Sequence, residues 1–302
     1  MNSKIIFILG PTCIGKSKLA LKLAKKFSAE IINADSMQVY SNLKILTARP
    51  TNSEMKLAKH HLYGFIDGSI RYNVGNWCSD VSNILNNNSA TTYIVVGGTG
   101  MYVEKLINGL IQLPKIPEAI KKESEILLLK EGKSKFIKRI DKIDSQSLNK
   151  ISKNDTLRLR RIWEVYQHTN YTLSYWLKNQ NKKFLNNKKY IIYLFIPNRE
   201  EIYKKVNKRF LEMINNGAID EVKRLYNLKL ESSLPIMRAH GVPEIANYLL
   251  NKMTIDECIN KSQQVTRNYV KRQFTWWRST KLKIHQSFDE FPGEIDTNLL
   301  NF

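Results

Sequence analysis

Residues 10–17 read Gly-Pro-Thr-Cys-Ile-Gly-Lys-Ser, a Gly-x4-Gly-Lys-Ser spacing. A loop of this kind turns backbone N–H groups into one concavity, opens a helix N-terminus onto it, and adds the full charge of a lysine. The chemistry it suits is the grip of a phosphate group, in most such loops that of a nucleoside triphosphate, by the segment Gly10, Pro11, Thr12, Cys13, Ile14, Gly15, Lys16 and Ser17. Ser17 is the residue type that ligates Mg²⁺ in such loops. Two further groups could act beside it. Asp35 follows Glu-Ile-Ile-Asn-Ala, and a carboxylate at a strand end next to a phosphate loop can be a general base or a metal ligand. The same carboxylate could instead cap a helix or close an Asx turn. Its neighbours Ser36, Gln38 and Tyr40 offer hydrogen-bonding groups and a ring suited to a planar base. Gly97-Gly98-Thr99-Gly100 permits close backbone approach and presents the Thr99 hydroxyl to a phosphate or substrate, or it is simply a strand-to-helix turn.

Two later segments suit a polyanion. In Asn154–Gln167, Leu159, Ile162, Trp163 and Tyr166 form an apolar stripe, while Arg158 and Arg161, three apart, share another face. Paired arginines suit bidentate phosphate contacts, with a solvated charged face as the alternative. In Thr266–Lys281, Arg267, Lys271 and Arg278 line up within about 40° at roughly 100° per residue. Val270, Phe274 and Trp277 form the adjacent stripe, which serves as core or as an RNA-stacking surface. His60 and His61 lack a Cys or carboxylate partner at metal spacing, so structural roles are expected.

What the chain lacks narrows the use of the loop. The apolar run Tyr-Ile-Val-Val-Gly-Gly ends in glycine and not in a metal-binding aspartate. There is no Asn-Lys-x-Asp guanine motif and no Asp-x-x-Gly switch. The loop therefore points to a kinase-like or transferase-like reaction.

The elements that must position these groups are also legible. Lys-Ile-Ile-Phe-Ile-Leu-Gly at 4–10 is a buried strand, and residues 16–27 form a helix with Leu19, Leu23 and Phe27 on one face. Strands are predicted at 29–36, 91–100 and 188–197. Strands alternating with helices predict an α/β fold: a P-loop core with a mostly parallel sheet flanked by helices. In such sheets ligands sit at the carboxyl ends of the strands, where the loop, Asp35 and Thr99 all fall. Residues 115–187 show helical periodicity and many charges. They are predicted as a helical insertion between core segments 1–114 and 188–302, the second carrying basic helices. Residues 86–90 and 179–189 read as polar loops.

Composition agrees with a polyanionic partner. In 302 residues, 48 Lys and Arg face 27 Asp and Glu, for a formal charge of +21. Cys13, Cys78 and Cys258 are widely spaced, which argues against a disulfide framework or zinc cluster. The first apolar run is too short for a signal peptide, and no apolar run reaches membrane-spanning length. A reducing, cytoplasmic setting with no membrane partner is expected. No long heptad is present, and a monomer is expected.

Eight segments in this order resemble the tRNA dimethylallyltransferase (tRNA isopentenyltransferase) family. They are Gly10–Ser17, Asn33–Tyr40, Thr47–Pro50, His60–Leu62, Val96–Tyr102, Asn154–Val165, Arg209–Met213 and Thr266–Arg278. The run Arg-Ala-His-Gly-Val-Pro-Glu-Ile at 238–245 departs from the Ile-Gly-Tyr-Lys-Glu-like run of many members, keeping Gly241 and Glu244. The resemblance implies that the loop holds the diphosphate of dimethylallyl diphosphate with Mg²⁺. It implies that the acceptor is the exocyclic amine of the adenosine 3′ of the anticodon in tRNA, with the anticodon stem-loop as the bound partner. It further implies Asp35 as general base, with Thr99 in the catalytic set, and Thr12 and Arg209 at the diphosphate. Ser36, Met37, Gln38, Thr99, Met101 and Leu157, Arg158, Leu159, Arg160 and Arg161 are implied to touch tRNA, together with Asp35, Arg267 and Lys271. The resemblance likewise implies that the helical insertion at 115–187 binds tRNA. The alternatives that remain are a small-molecule or nucleotide kinase, which needs ATP turnover, and a non-catalytic RNA-binding protein.

Overall fold

The computed structural model describes residues 4–87, 92–179, 182–185, 188–298 and 300. The chain divides into two compact units, Met1–Ile107 with Leu185–Phe302, and Asn108–Phe184.

The larger unit is built on one sheet of parallel strands. These are β1 (Ile5–Leu9), β2 (Glu30–Asn33), β3 (His60–His61), β4 (Tyr93–Gly97), β5 (Tyr190–Phe195) and β6 (Gln286–Phe288), in the order β3-β2-β4-β1-β5-β6. β1 and β4 are buried at every position, as continuous apolar strands in a parallel sheet covered on both faces must be. Register aligns the functional ends: Leu9 of β1 pairs with Gly97 of β4, and Asn33 of β2 pairs with Val96. The phosphate loop, Asp35 and Thr99 therefore emerge side by side at one edge. The strands β3 and β6 were not expected from the sequence. Two and three residues at the sheet margins are too short to show a period, and pairing with β2 and β5 is what extends them.

Helices α1 (Lys16–Phe27), α2 (Asn52–Leu57), α3 (Val74–Asn87) and α4 (Gly100–Asn108) belong to the first half of the chain. In the second half, α8 (Arg199–Asn215), α9 (Ala218–Asn227), α10 (Val242–Leu249) and α11 (Ile255–Arg278) follow β5, with a 3-10 turn at Pro235–Arg238. Leu19 and Leu23 of α1, Ile202 and Val206 of α8, and Val270 and Phe274 of α11 join Ile6, Ile8, Ile94 and Val96 in one core. The basic helix α11 thus turns its aromatic stripe inward: Val270, Phe274 and Trp277 are core, not a stacking surface.

The smaller unit holds α5 (Glu118–Leu148), α6 (Thr156–Thr169) and α7 (Leu173–Asn179), with an antiparallel bridge between Leu110 and Lys182. α5 is interrupted at Gly132, whose φ of 76° suits glycine, and at Asp144. Phe136, Ile140, Leu148, Leu159, Ile162 and Trp163 form its core. Residues 86 and 87, read from sequence as loop, are the last turn of α3. The remainder of that stretch, 88–90, and residues 180–181 and 186–187 lie outside the described residues.

Candidate active site

The phosphate loop takes the expected form. Cys13 (φ 69°) and Gly15 (φ 90°) are left-handed, which aims successive N–H groups to one side, and Gly15 stands at the N-cap of α1. Helices α6, α8 and α11 begin with a side-chain cap from Asp155, Asn198 and Thr254, whereas α1 has none. Its first N–H groups are left to an anion. At Gly10, any Cβ would lie 2.2 Å from the Phe195 carbonyl oxygen, so only glycine lets β1 pass into the loop here. Lys16 is buried, and its Nζ donates to the Pro11 carbonyl. Burial lowers the Lys16 pKa to about 7, with Arg209 adding to the effect and Asp35 opposing it.

Asp35 closes a turn, one of the roles left open by its sequence context, and keeps one oxygen spare. Its Oδ1 accepts from the Met37 N–H at 2.8 Å and the Gln38 N–H at 3.4 Å, closing an Asx turn. Its Oδ2 has no hydrogen-bond partner among the described residues. The backbone of Asp35 is clamped by buried Asn33, whose Oδ1 accepts from the Asp35 N–H at 2.8 Å and whose Nδ2 donates to the Asp35 carbonyl at 2.9 Å. Thr99 sits against the same turn, its Oγ1 accepting from the Ser36 N–H at 3.3 Å.

Gln273 of α11 joins the two loops. Its Oε1 accepts from the Thr12 N–H at 3.0 Å and its Nε2 donates to the Gly98 carbonyl at 3.0 Å. Arg209 of α8 donates through Nη2 to the Thr12 hydroxyl at 3.1 Å. Opposite, Glu221 of α9 accepts from the N–H groups of Lys44, Ile45 and Leu46 at 2.6–3.1 Å and fixes the loop that carries Leu46, Thr47 and Ala48.

Two cavities result. One, of about 210 Å³, follows the phosphate loop from Thr12 to Lys18 and is closed by Gln38, Ala48, Glu54 and Gly97–Gly98. The other, of about 180 Å³, has an apolar side of Leu46, Val206, Phe210 and Met213 and a polar side that includes Ser36, His240 and Tyr269. Thr12, Asp35 and Arg209 line both.

A family model described as IPP transferase matches residues 38–280, and one described as isopentenyl transferase matches residues 3–72. The chain is 42% identical over 282 residues to the tRNA dimethylallyltransferase of Pelagibacter ubique, covering 92% of this chain and 89% of that one. It is 40% identical to the tRNA dimethylallyltransferase of Wolbachia pipientis wMel, covering 92% and 93%. The chain belongs to the tRNA dimethylallyltransferase family. Among solved structures, it is similar to a eukaryotic dimethylallyltransferase acting on tRNA, at TM-score 0.79 and 27% identity, covering 91% of this chain and 70% of that one. It is also similar to the tRNA isopentenylpyrophosphate transferase of Bacillus halodurans, at TM-score 0.66 and 27% identity, covering 95% and 90%.

Within this dimethylallyltransferase fold the expected site residues separate into three groups. The loop 10–17, Asp35, Thr99 and Arg209 come together as described. Ser36, Met37 and Gln38 lie in the Asp35 turn, where the Gln38 amide is spent on the Thr47 and Ala48 carbonyls at 2.8 and 3.2 Å. On the surface stand Met101, 46% exposed, Leu157, 71% exposed, and Lys271, while Arg267 is half-buried and donates to Asn207 Oδ1 at 2.7 Å.

The α6 segment corrects two expectations. Leu159 is wholly buried in the core of the smaller unit, so its side chain faces no partner. Arg160 is committed internally, donating to Ser124 Oγ and the Lys121 carbonyl at 2.8 Å each and pairing with Glu125 and Glu164. Arg158 is exposed beside Asp155 at 3.2 Å, and Arg161 is half-buried. His60 and His61 are held within the protein: His61 pairs with Glu30 at 2.6 Å and His60 with the Ala58 carbonyl at 2.8 Å.

Sequence reasoning missed Asn33, Gln273, Tyr269, His240 and Glu221. For Gln273 a signal existed. It lies on the inward stripe of α11 beside Val270, Phe274 and Trp277, and a polar residue on such a stripe needs partners.

Proposed function

We propose that this chain transfers the dimethylallyl group of dimethylallyl diphosphate to the exocyclic amine of the adenosine 3′ of the anticodon in tRNA, releasing diphosphate. The observation that carries this reading is the sharing of Thr12, Asp35 and Arg209 between the phosphate-loop cavity and its neighbour. The donor's diphosphate fits the first, its apolar tail and the acceptor base fit the second, and the bond to be broken falls where both meet.

An adenine amine is a weak nucleophile because its lone pair is delocalised into the ring. As its nitrogen bonds to the allylic carbon, one N–H proton must leave, and Asp35 Oδ2 is the free acceptor in place to take it. The carbon–oxygen bond to the diphosphate breaks in the same step. Lys16, Arg209 and the uncapped start of α1 stabilise the charge that collects on the departing oxygens. Leu46, Val206, Phe210 and Met213 keep water from the allylic carbon. The Thr99 hydroxyl holds the Asp35–Ser36 turn and so orients the carboxylate.

Among the described residues no group of three or more His, Cys, Asp or Glu gathers to hold a metal. The donor set instead fits an ion that arrives with the diphosphate, since Mg²⁺ keeps several waters and binds through phosphates with few protein ligands. Ser17, exposed at the start of α1, would hold it, with Asp35 and Glu54 lining the same cavity. Bound there, Mg²⁺ would neutralise charge on the leaving group.

The charge of +21 suits the RNA partner. Arg158, Arg161, Leu157, Met101, Arg267 and Lys271 are the proposed tRNA contacts. The insertion's proposed role is to grip the anticodon stem-loop by shape and phosphates. Among the described residues no helix is long and apolar enough to cross a membrane. A cytoplasmic monomer is the proposed state. The test is mass analysis of tRNA after incubation with the protein, Mg²⁺ and dimethylallyl diphosphate. A gain of one dimethylallyl group on the adenosine 3′ of the anticodon supports the reading, and ATP-dependent phosphorylation of a small substrate in its place refutes it.

A further inference from the structure

The polar groups of the second cavity are mostly spent within the protein. The Thr12 hydroxyl takes the Arg209 bond. The hydroxyls of Thr47 and Thr266 donate to the Leu43 and Ser262 carbonyls at 2.7 and 2.9 Å. The Tyr269 hydroxyl interacts with Thr99 and Gln273. Besides Asp35, the Ser36 hydroxyl, the exposed Arg238 and His240 are the lining groups not spent in this way, and of these only His240 brings a ring that can stay uncharged. It lines the cavity with Asp35, and its ring meets Tyr269 edge-on, with centroids 4.7 Å apart and planes at 62°. Neither ring nitrogen has a hydrogen-bond partner among the described residues.

The groups around His240 favour its neutral form. Burial and the cations Arg272 and Arg209 push its pKa down, and only Asp35 pulls it up. A neutral imidazole carries one N–H donor and no charge to be buried. On either hydrogen-bonding edge, adenine presents its amine beside a bare ring nitrogen, N1 or N7. A carboxylate facing the amine and an N–H donor facing the ring nitrogen match that pair. Guanine places a carbonyl oxygen where adenine has the amine, which would set two acceptors against each other at Asp35.

We propose that His240 donates a hydrogen bond to a ring nitrogen of the acceptor adenine, and so selects adenine at this position with Asp35. This rests on the transfer activity proposed above.

The experiment crosses His240→Phe with acceptor analogues. Phe keeps the ring against Tyr269 and removes both nitrogens, and His240→Gln restores a donor. Anticodon stem-loops carrying adenosine, 1-deazaadenosine or 7-deazaadenosine at the acceptor position are tested in single-turnover transfer, beside thermal melts. In the parent protein, one of the two analogues should transfer about tenfold more slowly than adenosine, the worth of one such bond. In His240→Phe, adenosine itself should slow by about tenfold, and the penalty for that analogue should shrink to about that of its intrinsic reactivity. His240→Gln should recover part of the rate. Equal analogue penalties in parent and variant overturn the proposal, as does a parent indifferent to both analogues. No transfer to unmodified adenosine by the parent would instead count against the proposed function.

Discussion

Lys16 is held in a state that only its ligand should make comfortable. Its ammonium is buried and its pKa is lowered to about 7, with Asp35 offsetting part of the cost of burial and Arg209 adding to it. An arriving diphosphate supplies further counter-charge, so the bound-state pKa must rise well above the free value and binding must take up a proton. The sign follows: donor affinity is greatest where Lys16 is already protonated and falls as pH rises through the free-state pKa. With that pKa near 7, the protonated fraction drops from roughly a quarter at pH 7.5 to roughly 0.3% at pH 9.5. Affinity should therefore fall by roughly 50- to 100-fold across that window, provided the bound pKa stays above it. An ordinary lysine, with a pKa of about 10.4, would change affinity by only about a tenth over the same range. The donor does not confuse the measurement, because the last ionisation of a terminal phosphate lies near pH 6 and is complete by the start of the window. Calorimetric titration of dimethylallyl diphosphate into the protein, in two buffers of different ionisation enthalpy, reads affinity and proton uptake together. Uptake should approach one proton at about pH 8. Lys16→Met should bind weakly and lose the pH dependence. A flat affinity from pH 7.5 to 9.5 in the parent would refute the reasoning and mean that the bond to the Pro11 carbonyl already offsets the cost of burial.

Asp35→Asn keeps the oxygen that accepts from Met37 and Gln38, so the turn and the melting temperature should persist, while single-turnover transfer falls by about a hundredfold or more. Transfer near the parent rate, with both substrates saturating, would leave Asp35 only its turn-closing role. Replacing Arg158 and Arg161 together by Ala should lower the slope of log affinity for tRNA against log salt by roughly one to two, with donor binding unchanged. An unaltered slope would return both to a solvated or structural role.

Local chemistry made much of the site legible in the sequence. A Gly-x4-Gly-Lys-Ser run after a β-branched strand forms the same backbone nest in many settings, because its glycines supply the torsions and the following helix supplies the N–H groups. Asp35 and Thr99 could be placed beside it because parallel strands bring their carboxyl ends to one edge. Position along the chain did not decide partners. Gln273 reaches Thr12 across 261 residues of sequence, and Glu221 reaches the 44–46 loop across more than 170. Such contacts leave no local period. The fate of the arginines on α6 was likewise hidden, since Arg158, Arg160 and Arg161 differ only in which side of one helix turn they occupy. Packing against α5 ties Arg160 to Ser124 and leaves Arg158 exposed. His240 looked like one histidine in a divergent stretch, and only the closure of α8, α11 and the Asp35 turn around one cavity placed it in the cavity that the carboxylate also lines. The sequence by itself determined the phosphate loop and the strand that carries it, because those rest on neighbours a few residues apart, and it pointed to the family through the order of eight such local segments. The tertiary structure decided which polar groups are spent on the protein and which remain for a substrate, because a hydrogen bond belongs to whichever partner the fold brings within about 3 Å.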